Sequence, residues 1–293
     1  MPTHVHHQSS QYMLGTYVDG TPGVGNNHSG SWVPTAGGPP FRLFPIDTGA
    51  YYASKGFTDH RNASSSKTSG RRILYGWNRS PPASQSLPRV VTYHPEIQRL
   101  VFTPAPELSL LRQNQLPTLP NDTALVPNVS VPIAGNGSSW PAGALNAVEV
   151  RVRWKRPAGA ANLSLGGATV HYTPPPTTTA ADKPYNVSVT GGCDSGRQSA
   201  LAQGCDGLWL LPSDASIELT IYIDHTVTES FWMDGRVAWT SGAKYDPEAD
   251  GSGMQLHAVT SGESVVVESV QAWEMGSAWI NETQALQMLE GQR

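Results

Sequence analysis

Charge, cysteine, helical pattern and long apolar runs are all scarce in this chain of 293 residues. Only 14% of residues are charged, and the net charge of −4 leaves no basic excess of the kind that nucleic acid selects. A nucleic-acid partner is therefore not expected. No apolar run approaches the roughly 20 residues of a membrane-spanning helix, and no membrane partner is expected either. The two cysteines are too few for a zinc site of the usual spacing. His4, His6 and His7 have no thiol or carboxylate close by in sequence, so they read as a terminal segment and not as a metal centre. Gly-X-Ser-X-Gly and Gly-rich phosphate loops do not occur. No metal and no cofactor is called for.

What is present is turn and strand. The 29 glycines and 24 prolines punctuate short elements, and hydrophobic residues at 38% are enough for a core. Nine asparagines open Asn-X-Ser/Thr sequons: Asn27, Asn62, Asn78, Asn121, Asn128, Asn136, Asn162, Asn186 and Asn281. Their density fits glycosylated loops of the secretory route, with composition bias as the alternative. Cys193 and Cys205 bracket a Gly-rich loop and read either as a disulfide or as two buried thiols. Together these features point to a secreted protein, extracellular, in a cell wall or in a vacuole. The opening Met1-Pro2-Thr3-His4-Val5-His6-His7 has no apolar core of a signal peptide, so an upstream N-terminal portion is expected.

VEVRVRW places Val148, Val150, Val152 and Trp154 on one face, and Glu149, Arg151 and Arg153 on the other. SVVVESVQAW reads the same way, and RRILYGW and RVVTYH are shorter strands. Met233-Asp234-Gly235-Arg236 predicts a hairpin turn, because Asp-Gly tolerates positive φ. Helix is limited to a turn at PELSLLR and to the tail ETQALQMLE. The stretch QNQLPTLPNDTALVPN predicts a linker between two β-rich halves, and TPPPTTTAADKP at 173–184 a long exposed loop. In IYIDHTVTESF at 221–231, Asp224-His225-Thr226 breaks the alternation as a bulge would. Asp224 and Glu229 lie five apart, on opposite faces of a straight strand, whereas paired glycosidase carboxylates must converge on one bond. A bracing role in a sandwich strand is the expectation for both.

IYIDHTVTESF followed by DGR resembles a signature late in the C-terminal β-sandwich of glycoside hydrolase family 32, the invertases and β-fructofuranosidases. Further segments agree in order: YMLGTY at 12–17, DTGAYYASKGF at 47–57, RRILYGW at 71–77, SQSLPR at 84–89, LVFTPAPELSLLR at 100–112, CDSGRQSALA at 193–202 and VVVESVQAWEM at 265–275. The resemblance implies an all-β fold, a partial five-bladed β-propeller followed by a C-terminal antiparallel β-sandwich. The corresponding division is a propeller remnant at 1–112, a sandwich at 113–281 and a tail at 282–293. The implied activity of the parent is hydrolysis of β-fructofuranosyl bonds in sucrose or fructans.

The family's three catalytic carboxylates lie in WMNDPNG-like, RDP and EC motifs, and none of these strings occurs here. No catalytic residue carries over. In the binding pocket, Tyr52 of DTGAYYA matches the aromatic position facing the fructosyl unit, and Trp77 of RRILYGW the tryptophan of the pocket floor. Both also read as blade core. Asp47 and Lys55, beside them, are expected to bind sugar hydroxyls or to form a surface ion pair. After GTY, the sequence Val18-Asp19-Gly20-Thr21 lacks the basic residue that plant invertases carry, a departure from the pattern tied to sucrose. The expected partner is a sucrose- or fructan-type carbohydrate, with a homo-oligomer or the N-terminal half as further partners. A lectin-like sugar-binding protein and an assembly partner of a complete glycosidase are the alternative readings.

Overall fold

The computed structural model describes residues 10–18, 31–34, 43–60, 70–79, 83–134, 140, 146–175, 183–189, 207–225, 227–242, 255–260 and 264–278. Two short strand pairs open the chain: β1 (Gln11–Tyr12) with β4 (Phe44–Pro45), and β2 (Gly15–Val18) with β3 (Ser31–Pro34). A blade-like sheet follows, made of β5 (Tyr51–Asp59), β6 (Arg71–Asn78), β7 (Ser84–Gln85), β8 (Arg89–His94) and β9 (Arg99–Pro104). Its order is β5-β6-β8-β9, with β7 also on β6.

The chain then leaves the blade through a 3-10 helix at Pro106–Leu111, which meets the helical turn expected at PELSLLR. The strands after it are β10 (Arg112–Gln115), β11 (Thr123–Leu125), β12 (Val129–Pro132), β13 (Ala147–Lys155), β14 (Ala161–Leu165), β15 (Ala168–Tyr172), β16 (Tyr185–Val189), β17 (Leu208–Leu210), β18 (Ser216–Asp224), β19 (Val227–Trp232), β20 (Val237–Gly242), β21 (Gln255–Thr260) and β22 (Val265–Met275). They form two sheets, β10-β22-β13-β18-β19-β20 with β11 also on β22, and β12-β21-β14-β15-β16-β17. The ladders of the described residues are antiparallel.

The two sheets close over one apolar core. Val148, Val150, Val152 and Trp154 of β13 meet Leu163 and Leu165 of β14 and Val187 of β16. Trp154 and Trp232 stack at 6.0 Å between ring centroids. In β22 the inward residues change phase, from Val265 and Val267 to Val270 and Ala272. The cause is a register shift between Arg153 and Trp154 of β13, which oppose Ser269 and Val267. One extra residue returns the next apolar pair to the core face.

Two expectations are corrected. The segment 113–130 is not a free linker: β10 and β11 pair with β22, and β12 pairs with β21, so it contributes edges to both sheets. The polar break at Asp224-His225 is not a bulge but the end of a hairpin. Asp224 of β18 faces Val227 of β19, and His225 takes a φ of 51° there. The chain reverses, so the opposite-face argument for Asp224 and Glu229 does not apply. At Met233-Asp234-Gly235 the expected turn is present between β19 and β20, with three successive positive φ angles. The tail ETQALQMLE and most of 173–184 lie outside the described residues.

Candidate functional site

The outer face of the sheet that ends in β20 carries the blade. Residues 48–50 run along that edge strand, where the Thr48 amide donates to the Ala238 carbonyl (2.9 Å) and the Ala50 amide to the Thr240 carbonyl (2.7 Å). Gly49 is required in this strap, because a Cβ there would lie 1.9 Å from the Thr240 oxygen. On the far side of the blade, the β19–β20 turn docks against β9. The Thr103 hydroxyl donates to the Asp234 carbonyl (2.9 Å), and Gly235 lies so near the Phe102 carbonyl that a Cβ would overlap it.

A cluster of buried charges sits at the centre of this junction. Nη2 of Arg89 on β8 lies 2.6 Å from Glu229 Oε2 on β19, 2.9 Å from Asp47 Oδ2 and 2.9 Å from Thr240 Oγ1 on β20. The carboxylates have further donors. Glu229 Oε1 accepts the Leu87 amide (2.6 Å), and Asp47 accepts the Thr240 amide (3.0 Å), the Thr240 hydroxyl (2.7 Å) and the Gly49 amide (2.7 Å). The Arg89 guanidinium is packed between the rings of Tyr51 (4.4 Å) and Phe231 (5.1 Å). Burial of an ion is tolerated only when opposite charge and hydrogen bonds compensate it. Here Asp47 and Glu229 supply the charge and Nη2 carries the hydrogen bonds, while Arg89 Nε and Nη1 are buried without a hydrogen-bond partner.

The electrostatics follow from the packing. Burial pushes the Glu229 carboxyl above its ordinary value, although the Arg89 charge and the Leu87 amide oppose it. Burial alone would lower Arg89, but Asp47 and Glu229 more than offset that and hold its proton more tightly. Burial also pushes the Tyr51 hydroxyl up.

Tyr51 and Tyr52 begin β5 and, as strand neighbours, point to opposite faces. Tyr51 is buried over Gly76, where a Cβ would meet its ring at 2.2 Å. Tyr52 is directed outward, opposite Trp77 in the ladder, with ring centroids 6.3 Å apart. The two rings are 39% and 45% exposed, too open for blade core in this structure. The Arg79 guanidinium lies 5.1 Å from the Tyr52 ring. Just after Tyr52 the register shifts by one residue before Lys55, and Ala53 takes a φ of 47°, a strained value for a residue with a Cβ. Two exposed rings with a cation beside them can stack on the apolar face of a sugar and bond its hydroxyls.

The four expected binding residues therefore separate. Tyr52 and Trp77 come together at the surface. Lys55 is exposed on β5, after the bulge. Asp47 is a correction: it is 1% exposed, paired with Arg89 and not with Lys55, and closed to any ligand. Glu229 has the bracing role, but Asp224 does not share it, since its carboxylate is exposed beside His225 at the hairpin end. Arg89, Thr240 and Arg79 were not anticipated. The signal available for Arg89 was a lone cation in the apolar context of SLPRVV, with no acid near it in sequence.

Of the sequon asparagines, Asn121, Asn128 and Asn186 are exposed and Asn162 is half-buried. Asn78 is a correction: it is fully buried in β6 and its amide donates to Ser84 (3.4 Å), which leaves no room for a glycan. Asn27, Asn62, Asn136, Asn281, Cys193 and Cys205 lie outside the described residues. Among the described residues no three His, Cys, Asp or Glu side chains are grouped as a metal site.

A two-sheet antiparallel sandwich carrying a blade on its outer face defines a protein of the propeller-plus-sandwich class. Residues 148–274 match the model of "Glycosyl hydrolases family 32 C terminal". The chain is 27% identical over 280 residues to an insoluble isoenzyme of beta-fructofuranosidase from Arabidopsis thaliana, covering 78% of this chain and 46% of that protein. The structure of a fructosyltransferase from A. japonicus matches with a TM-score of 0.61 at 15% identity, covering 96% of this chain and 52% of that one. Fructan 1-exohydrolase IIa from Cichorium intybus matches at 0.56 and 19% identity, covering 84% and 52%. At these identities the structural likeness bears on the fold. The chain spans about half the length of these relatives.

Proposed function

We propose that the chain is the sugar-orienting, C-terminal portion of a secreted β-fructofuranosidase-like glycoside hydrolase that acts on sucrose or fructans. In this reading residues 1–112 complete a propeller and 113–281 form its sandwich. Asn121, Asn128 and Asn186 carry glycans, and Cys193 pairs with Cys205. The names of the relatives, including an insoluble beta-fructofuranosidase, support the substrate class and an extracellular location.

The observation that carries the reading is the outward pair Tyr52 and Trp77, with Arg79 at its edge. Retaining hydrolysis needs one carboxylate to attack the anomeric carbon and a second to protonate the leaving oxygen. Asp47 and Glu229 cannot serve, since both are buried against Arg89. By itself the chain binds the fructosyl unit and does not cleave it. The test is calorimetric titration of the 293-residue protein with fructose, sucrose and 1-kestose, together with an assay for fructose release. Binding that is lost in Tyr52→Ala and Trp77→Ala, without release, supports the reading. Fructose release by the 293-residue protein that disappears in Glu229→Gln would overturn the reading and give the chain a catalytic site of its own.

A further inference from the structure

The sandwich face meets the sugar-facing strand through one continuous set of contacts. Thr240 stands at its start, on the edge strand β20. Its amide and hydroxyl both donate to Asp47, its carbonyl accepts from Ala50, and its hydroxyl accepts from Arg89. Glu229 holds the same Arg89 nitrogen from the neighbouring strand and fixes the Leu87 amide. Arg89 in turn lies on the Tyr51 ring. Tyr51 is locked from below by Gly76, whose amide donates to the Ser86 hydroxyl at 2.9 Å. The backbone from residue 47 to residue 51 is thus held at almost every step before Tyr52. Thr240 and Arg89 are themselves 1% and 0% exposed, so neither can touch a ligand at the surface.

We infer that Thr240 and Glu229 of the sandwich act as positioning residues, through Asp47 and Arg89, for the Tyr51–Tyr52 segment and hence for the pair Tyr52 and Trp77. This rests on the sugar-binding reading above only in its last step. An exposed aromatic pair shared by the edge strand β5 and its neighbour β6 binds well only if its rings are held before the ligand arrives, because ordering them on binding costs affinity. The register shift after Tyr52 separates it from the rest of the β5–β6 ladder, so its position is set by its own pairing with Trp77 and by the strap before it. The sandwich is then part of the binding apparatus even though no sandwich residue reaches the sugar.

The experiment compares Thr240→Val, which keeps the shape and removes the hydroxyl, with Thr240→Ser, which restores it, and with Glu229→Gln. Leu163→Ala serves as a core variant that destabilises the sandwich without touching the strap. Two readouts are taken on the 293-residue protein: amide hydrogen exchange at Thr48, Gly49 and Ala50, and affinity for 1-kestose. Loss of one buried hydrogen bond predicts exchange faster by about 3–10-fold at these amides in Thr240→Val and Glu229→Gln. A comparable fall in affinity is expected, with both effects reversed in Thr240→Ser and neither present in Leu163→Ala. Unchanged exchange in Thr240→Val, failure of the serine to restore it, or an equal effect from Leu163→Ala would overturn the inference. If the unaltered protein binds no fructosyl sugar, the proposed function fails, and the exchange data still decide the coupling.

Discussion

The interior of the sandwich and its junction with the blade are equally dry but built from opposite materials. Between the sheets lie Val148, Val150, Leu163, Leu165 and the stacked Trp154 and Trp232, with no charged group among the core residues. At the junction lie Asp47, Arg89, Glu229 and Thr240, also buried. The difference teaches where each region gets its specificity. An alternating apolar strand needs only its own period to find the core, whereas ions buried in low dielectric tolerate one arrangement and penalise the rest. The sandwich closes on itself. The blade meets it at this charged cluster, at the β19–β20 turn on β9 and in an apolar contact of Ile97 and Val101 with Leu211, and elsewhere exposes rings such as Phe57, Trp77 and Tyr93.

Removing material from either region should break the contrast in different ways. Trp232→Ala opens a cavity in the core and should cost about 3–5 kcal/mol, read as a lower urea midpoint. Arg89→Met should cost about as much by another route, because Glu229 keeps only the Leu87 amide and stays buried without a counter-charge. Gly49→Ala tests the strap: the added methyl meets the Thr240 carbonyl, so about 1–3 kcal/mol should be lost, together with protection at Ala50.

Acid sharpens the comparison further. Burial would raise Glu149, but the Arg112 and Arg151 guanidiniums beside it outweigh that and hold its carboxyl below the ordinary 4.5. A depressed folded value means stability that is present above 4.5 and lost as pH falls through the folded value. Glu229 has the opposite sign. Its raised value contributes stability below 4.5 that fades as pH rises through the folded value. Thermal midpoints between pH 3 and 7 should therefore fall less on acidification in Glu149→Gln than in the unaltered protein. Glu229→Gln should gain on the unaltered protein as pH rises. Lys55→Ala, on the exposed side of β5, should change stability by no more than about 0.5 kcal/mol.

How much of this could be read in the sequence depended on how local the signal was. The face of β13 was legible because the strand carries its own alternation, and the Asp-Gly turn because its backbone demand is local; in β22 the alternation holds only on each side of the register shift, which the sequence did not reveal. The segment 113–130 misled because prolines and polar residues mask short edge strands, which need few apolar contacts. The break at Asp224-His225 misled because a tight hairpin and a bulge both interrupt the period. Asp47 misled most. Its partners lie far along the chain, Thr240 at a separation of 193 positions, and no pattern in a window of ordinary length can report that pairing. Tyr52 and Trp77 were singled out by resemblance. Their outward direction depends on the register shift after Tyr52 and on the anchoring of Tyr51 beneath.

The buried Arg89–Glu229 pair fixes how the blade fits the sandwich, beside the apolar contact of Ile97 and Val101 with Leu211, and a double-mutant cycle on Arg89 and Glu229 tests this most directly. Arg89→Met, Glu229→Leu and the double variant would be unfolded in urea. Arg89→Met leaves Glu229 and Asp47 buried without a counter-charge and should cost about 3–5 kcal/mol, whereas Glu229→Leu leaves Arg89 paired with Asp47 and should cost less. In the double variant both ions are gone, and Asp47 is still served by the amides of Gly49 and Thr240 and by the Thr240 hydroxyl. The expected result is a double variant more stable than Arg89→Met alone, with an interaction of about 1.5 kcal/mol or more. Costs that simply add, to within about 0.5 kcal/mol, would contradict it.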